Sequence, residues 1–98
     1  METNKPTTWT DEDVYWRTNY SGRPYASGRA YDDFRPGYQY GFESAQRYRG
    51  REWQDIQREL ESGWNKWEQR GKRAWHDVQD AVRDAWERVI GRERQPVH

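Results

Sequence analysis

Cysteine is absent, leucine occurs once, and isoleucine and phenylalanine occur twice each. Without cysteine there is no disulfide, no thiolate metal ligand and no thiol nucleophile. No apolar run approaches the roughly 18 residues of a membrane span. The opening Met1-Glu2-Thr3-Asn4-Lys5-Pro6 lacks an apolar signal core, so the expectation is a soluble, cytoplasmic protein. Neither charge is in excess: 17 basic residues face 17 acidic ones, and the balance holds within each half of the chain. No basic tail or acidic arm follows from this.

Reactive motifs are equally sparse. The two histidines are His76 and His98, with no His-x-x-x-His or Glu-x-x-His pair, and no Gly-x-Gly-x-x-Gly loop is present. The acidic groups Asp11-Glu12-Asp13 and Asp32-Asp33 read as a helix cap and a solvated turn. The reading is of a non-enzymatic protein with no catalytic residue, metal ligand or cofactor.

The chain does hold aromatics. Leu, Ile, Val and Phe together make only 10 of 98 residues, yet there are 7 Trp and 7 Tyr. A chain poor in aliphatics is normally disordered when its net charge is also high; here the net charge is zero. A buried aromatic removes about 150–250 Å² from water, so a few indoles can replace the missing leucines in one small domain.

The two halves differ. Residues 1–41 are rich in Tyr, Arg, Gly and Pro and read as an irregular segment, with a short helix near 11–19 capped by Thr10. Residues 42–92 read as a Trp-lined amphipathic helical region, and 93–98 as a flexible tail. Trp53, Ile56, Leu60, Trp64 and Trp67 follow steps of three and four, as do Trp75, Val78, Val82, Trp86 and Val89. These ten are the expected core or interface.

Phe42, Trp53, Trp64, Trp75 and Trp86 are spaced eleven apart, and the column extends back to Tyr31, Tyr20 and Trp9. Eleven residues turn a helix through three turns plus about 20°, so such a stripe hardly drifts. Residues 51–90 as one helix would form a rod of about 60 Å whose stripe needs a partner chain. A break at Arg70-Gly71-Lys72 instead gives two helices, about 51–69 and 73–90, folded as an antiparallel hairpin. The expected fold class is mainly α: that hairpin plus the irregular aromatic-rich N-terminal segment.

A candidate Arg/aromatic contact surface comprises Tyr15, Trp16, Arg17, Tyr20, Arg23, Tyr25, Arg29, Tyr31, Arg35, Tyr38, Tyr40, Arg47 and Tyr48. Arg beside stacking rings is how single-stranded nucleic acid is held, but every local Arg group here is offset by acids. Membrane-surface binding is another alternative, weakened by the acids on the polar helix faces. The same segment has a second reading, in which it wraps back over the hairpin with Tyr38, Tyr40 and Phe42 as lid residues.

The motifs Tyr15-Trp16-Arg17-x-Asn19-Tyr20, Arg23-Pro24-Tyr25, Tyr31-Asp32-Asp33-Phe34-Arg35-Pro36-x-Tyr38, Arg47-Tyr48-x-Gly50-Arg51-x-Trp53 and Ala81-Val82-Arg83-Asp84-Ala85-Trp86 resemble an uncharacterised family of small bacterial stress-associated proteins. The eleven-residue period is more loosely similar to late-embryogenesis-abundant proteins, whose repeats are nearly Trp-free. The resemblance implies a stress-related protective or scaffolding role through protein partners or self-association, and it transfers no site residue.

Overall fold

The computed structural model describes residues 8–67 and 73–94. The fold is mainly α, with four helices among the described residues: α1 Trp9–Asn19, α2 Arg35–Arg47, α3 Trp53–Lys66 and α4 Trp75–Arg94. Three short 3₁₀ turns, Tyr20–Gly22, Pro24–Ala26 and Tyr31–Asp33, link α1 to α2.

Helix α1 starts earlier than expected. Its cap is Thr8, not Thr10: the Thr8 hydroxyl accepts from the Asp11 N–H at 3.3 Å, and the Asp11 carboxylate accepts from the Thr8 N–H at 3.4 Å. This reciprocal box needs an acid three residues past the cap. For Thr10 that acid is Asp13, whose carboxylate is engaged by Tyr31 and Arg35.

Helix α2 departs most from the sequence reading. Arg35–Gly41 is helical, although Pro36, Gly37 and Gly41 suggest irregular chain. Pro36 lies in the first turn, where its missing N–H costs nothing. Gly37 and Gly41 lie one turn apart against α4. A Cβ at Gly37 would stand 3.0 Å from the Val78 Cβ. At Gly41 it would fall on the Val82 carbonyl oxygen and within 3.0 Å of the Ala85 Cβ. The glycines let two backbones approach closely.

Helices α3 and α4 are separate elements, and the longest dimension of the molecule is 44 Å, too short for the single rod. The chain expected to break them, Arg70-Gly71-Lys72, lies outside the described residues. Residues 93 and 94, expected in the tail, belong to α4, while 95–98 lie outside the described residues.

Helix α4 is the shared wall of two cores. One gathers Trp53, Ile56, Leu60 and Trp64 of α3 with Trp75, Val78, Val82, Trp86, Val89 and Ile90 of α4, and Tyr40, Phe42 and Ala45 of α2. The other gathers Trp16, Ala26, Tyr31, Phe34 and Tyr38 over Ala81 and Ala85. No helix among the described residues is long and apolar enough to cross a membrane.

Candidate interaction surface

The ten stripe residues divide simply. Trp53, Ile56, Leu60, Trp64, Trp75, Val78, Val82, Trp86 and Val89 are buried. Trp67 follows the end of α3, is half-buried, and packs against the same core. The indoles meet edge-on or stacked: Trp53 lies 6.5 Å from Trp75 at 14° and 5.6 Å from Trp86 at 57°, and Trp64 lies 6.4 Å from Trp75. Trp9 meets Phe42 at 6.1 Å, and Tyr20 meets Tyr31 at 5.4 Å. Residues eleven, or a multiple of eleven, apart in sequence thus fall against one another.

Polar atoms fix this packing. The Tyr40 hydroxyl donates to the Leu60 carbonyl at 2.7 Å, and the Trp64 indole donates to the Arg73 carbonyl at 3.0 Å. Burial pushes the Tyr40 hydroxyl up to about 12. The Trp86 and Trp16 indole nitrogens are buried with no acceptor among the described residues.

The Tyr/Arg set is turned largely inward. Trp16, Tyr31, Tyr38 and Tyr40 are buried, Tyr15, Tyr20, Tyr25, Tyr48 and Arg35 are half-buried, and Arg17, Arg23, Arg29 and Arg47 are exposed. Trp16 stacks on Tyr38 at 4.4 Å and 5°, and Tyr31 lies over Tyr38 at 6.0 Å. Arginines cover the outer rings: Arg17 sits 4.9 Å from Tyr31, Arg29 sits 5.2 Å from Phe34, and Arg88 sits 3.4 Å from Tyr15. Tyr38, Tyr40 and Phe42 are buried members of α2, packed toward α4.

Three carboxylates tie this layer down. Asp84 of α4 accepts from Tyr25 at 2.5 Å and from Arg23 at 2.9 and 3.0 Å. The Tyr25 and Tyr38 hydroxyls share a further hydrogen bond at 2.8 Å. Asp13 accepts from Tyr31 at 2.7 Å and from Arg35 at 3.1 Å. Buried Glu12 accepts from Arg88 at 2.9 Å.

Burial alone would raise the Asp13 carboxyl. Hydrogen bonds from Tyr31 and Arg35, with the charges of Arg35 and Arg17, outweigh it and hold the group below its ordinary value. Burial and the hydrogen bonds to Asp84 and Asp13 push Tyr25 and Tyr31 far above the ordinary phenol value. Burial pushes Tyr38 up to about 12, against the opposing effect of its bond with Tyr25.

Sequence reasoning missed these ties and gave Asp11-Glu12-Asp13 to the helix cap. Only Asp11 caps; Glu12 is 1% exposed. Asp84, on the polar side of the α4 stripe, carries no local signal of its role.

An open groove of about 570 Å³ lies between the start of α3 and the later turns of α4. Trp53, Trp86 and Ile90 supply its apolar lining, and Glu52, Arg83 and Glu87 its charges. Arg83 donates to Glu87 at 2.8 Å and lays its guanidinium 5.7 Å from the Trp53 ring centre. The sequence pointed to Trp53 and Trp86; Arg83 and Glu87 carry no local signal beyond an ordinary helical pair.

No family model matches the chain, and no curated protein or solved structure matches it either.

Proposed function

We propose that the protein is a non-enzymatic interaction module of the cytoplasm, with a protective or scaffolding role under stress, acting through protein partners or self-association. The observation that carries this reading is the open groove between α3 and α4, where an aromatic lining meets a charged rim. Aromatic and Arg side chains are the ones most enriched where proteins meet.

The inward turn of the Tyr/Arg layer favours this reading over nucleic-acid binding. Stacking platforms for bases need free ring faces. Here Trp16, Tyr31 and Tyr38 stack on one another, and arginines that would meet phosphates lie on rings or on Asp13 and Asp84.

The test is suppression of aggregation of a heat-stressed client enzyme, scored by light scattering against an equal mass of an inert protein. Sedimentation runs in parallel, and retention of single-stranded DNA and RNA is measured at two salt concentrations. Suppression or concentration-dependent self-association supports the reading. Neither effect, or tight retention that falls steeply with salt, overturns it.

A further inference from the structure

We propose that the aromatic layer over α4 carries a one-electron oxidation relay, in which an electron vacancy placed on Trp16 ends on Tyr25 while Asp84 takes the phenolic proton. The substrate class is a small one-electron oxidant, a radical that an indole can reduce. The relay uses none of the groove residues and is independent of the interaction role.

An indole gives up an electron without first losing its proton. A phenol does not, because its cation radical is a very strong acid, so its oxidation needs a base within hydrogen-bond reach. Tyr25 has one: its hydroxyl donates to Asp84 at 2.5 Å. Arg23 grips that carboxylate at 2.9 and 3.0 Å, which fixes the plane of the acceptor. The Arg23 side chain is 44% exposed, so water takes up its charge once Asp84 is neutral. In the resting protein burial keeps the proton on Tyr25.

The rings are in series. Trp16 and Tyr38 stack at 4.4 Å and 5°, and the Tyr38 and Tyr25 hydroxyls share a hydrogen bond at 2.8 Å. Ring overlap and a short hydrogen bond each couple neighbouring groups electronically. Trp16 and Tyr38 are buried, so a vacancy in transit is shielded from solvent. Half-buried Tyr15 meets Trp16 edge-on at 4.9 Å, which leaves the entry point one ring from the surface.

Tyr31 is the competing phenol. It lies 6.0 Å from Tyr38 and donates to Asp13 at 2.7 Å. Asp13 answers two guanidiniums, Arg35 at 3.1 Å and Arg17 at 3.6 Å, and among the described residues Asp84 answers only that of Arg23. The doubly paired carboxylate is the poorer base, and the vacancy settles on Tyr25.

Electrons and protons balance. The oxidant takes one electron from Trp16 and leaves an indole cation radical. One electron returns to Trp16 from Tyr25 across Tyr38; the Tyr25 O–H bond breaks, and its proton bonds to Asp84 Oδ2. The products are the restored indole, a neutral Tyr25 phenoxyl, a protonated Asp84 and the reduced oxidant.

The experiment generates azide radicals by pulse radiolysis in a solution of the full chain and follows the indole and phenoxyl radical absorptions. The expected result is decay of the indole radical matched by growth of the phenoxyl, at a rate independent of protein concentration and slower in heavy water. Tyr25→Phe and Trp16→Phe should each remove most of the fast phenoxyl growth, and Tyr31→Phe little of it. Asp84→Asn, which keeps the phenol and removes the base, should slow that growth at least about tenfold.

An indole radical that never passes to a phenol would overturn the proposal. So would fast growth that survives Tyr25→Phe, that is lost instead in Tyr31→Phe, or that keeps its rate in heavy water or in Asp84→Asn. The folded far-ultraviolet spectrum is the control for each variant. Should Asp84→Asn fail to fold, the heavy-water rate of the unaltered chain and the contrast between Tyr25→Phe and Tyr31→Phe decide.

Discussion

On one face of α4, Val78, Val82 and Trp86 meet the indoles of α3; on the other, Ala81 and Ala85 meet the rings of the N-terminal layer. The first core is held by shape: large rings fill the space, and the hydrogen bonds from Tyr40 and Trp64 sit at one end. The second is held by addresses. Tyr25, Tyr31, Arg23, Arg35 and Arg88 each reach a named carboxylate. Ring area supplies most of the cohesion in both, since hydrogen bonds to water are exchanged for internal ones at small net gain. The carboxylate ties choose where the second layer lies.

Alkali separates the two cores most sharply. Unfolded tyrosines ionise near pH 10, whereas Tyr38 and Tyr40 hold their protons to about 12, and Tyr25 and Tyr31 beyond that. Groups whose value is raised by folding give stability below pH 10 that is lost as the pH climbs. Three of these four phenols belong to the N-terminal layer. Tyrosinate absorbance, followed with indole emission, should show that layer detaching before the indole core opens; simultaneous loss would refute the division.

Among substitutions, Trp64→Ala should be the most damaging. It removes a fully buried ring that touches Tyr40, Trp67 and Trp75, at a cost of about 3–5 kcal/mol. Much of a small domain's stability goes with it. Thermal unfolding would show a large fall in Tm or no transition at all.

Gly41→Ala should follow. Helix propensity offers about 1 kcal/mol. The new methyl meets the Val82 backbone carbonyl, which has no rotamer to yield, so overpacking of about 1–3 kcal/mol prevails. Gly91→Ala, also helical but with nothing within 4 Å, should instead stabilise by about 0.5–1 kcal/mol. The same sign for both in denaturant titrations would deny the close approach of α2 and α4.

Tyr25→Phe removes the bond to the Asp84 carboxylate and the one shared with Tyr38, and should cost about 2–3 kcal/mol. Arg29→Gln breaks an exposed pair at 3.8 Å with Asp33 and lifts a guanidinium off the Phe34 ring, and should cost only about 0.5–1 kcal/mol. Equal effects would mean that the addresses of the second core carry no weight.

The indole core was legible in the sequence because its residues recur at helical steps on one face. Trp53, Ile56, Leu60 and Trp64 need only the 3.6-residue period to be placed together. The second core is written at long range: Tyr25 and Asp84 lie 59 residues apart, and Glu12 and Arg88 lie 76 apart. No local pattern links such pairs. Helix α2 was hidden for a different reason. Its proline and glycines resemble breakers, and only the partner helix shows that they start a helix and clear its path. A signal was present in the matched spacing of Gly37-x-x-x-Gly41 and Ala81-x-x-x-Ala85, four residues in each.

The stacking of Trp16 on Tyr38, with Tyr31 and Tyr25 close by, turns the fold into its own optical gauge. Light absorbed by these phenols passes to the adjoining indole, and the native chain glows as tryptophan. A phenol band that grows beside the indole band then marks the moment when the outer layer lets go of α4, with no label attached.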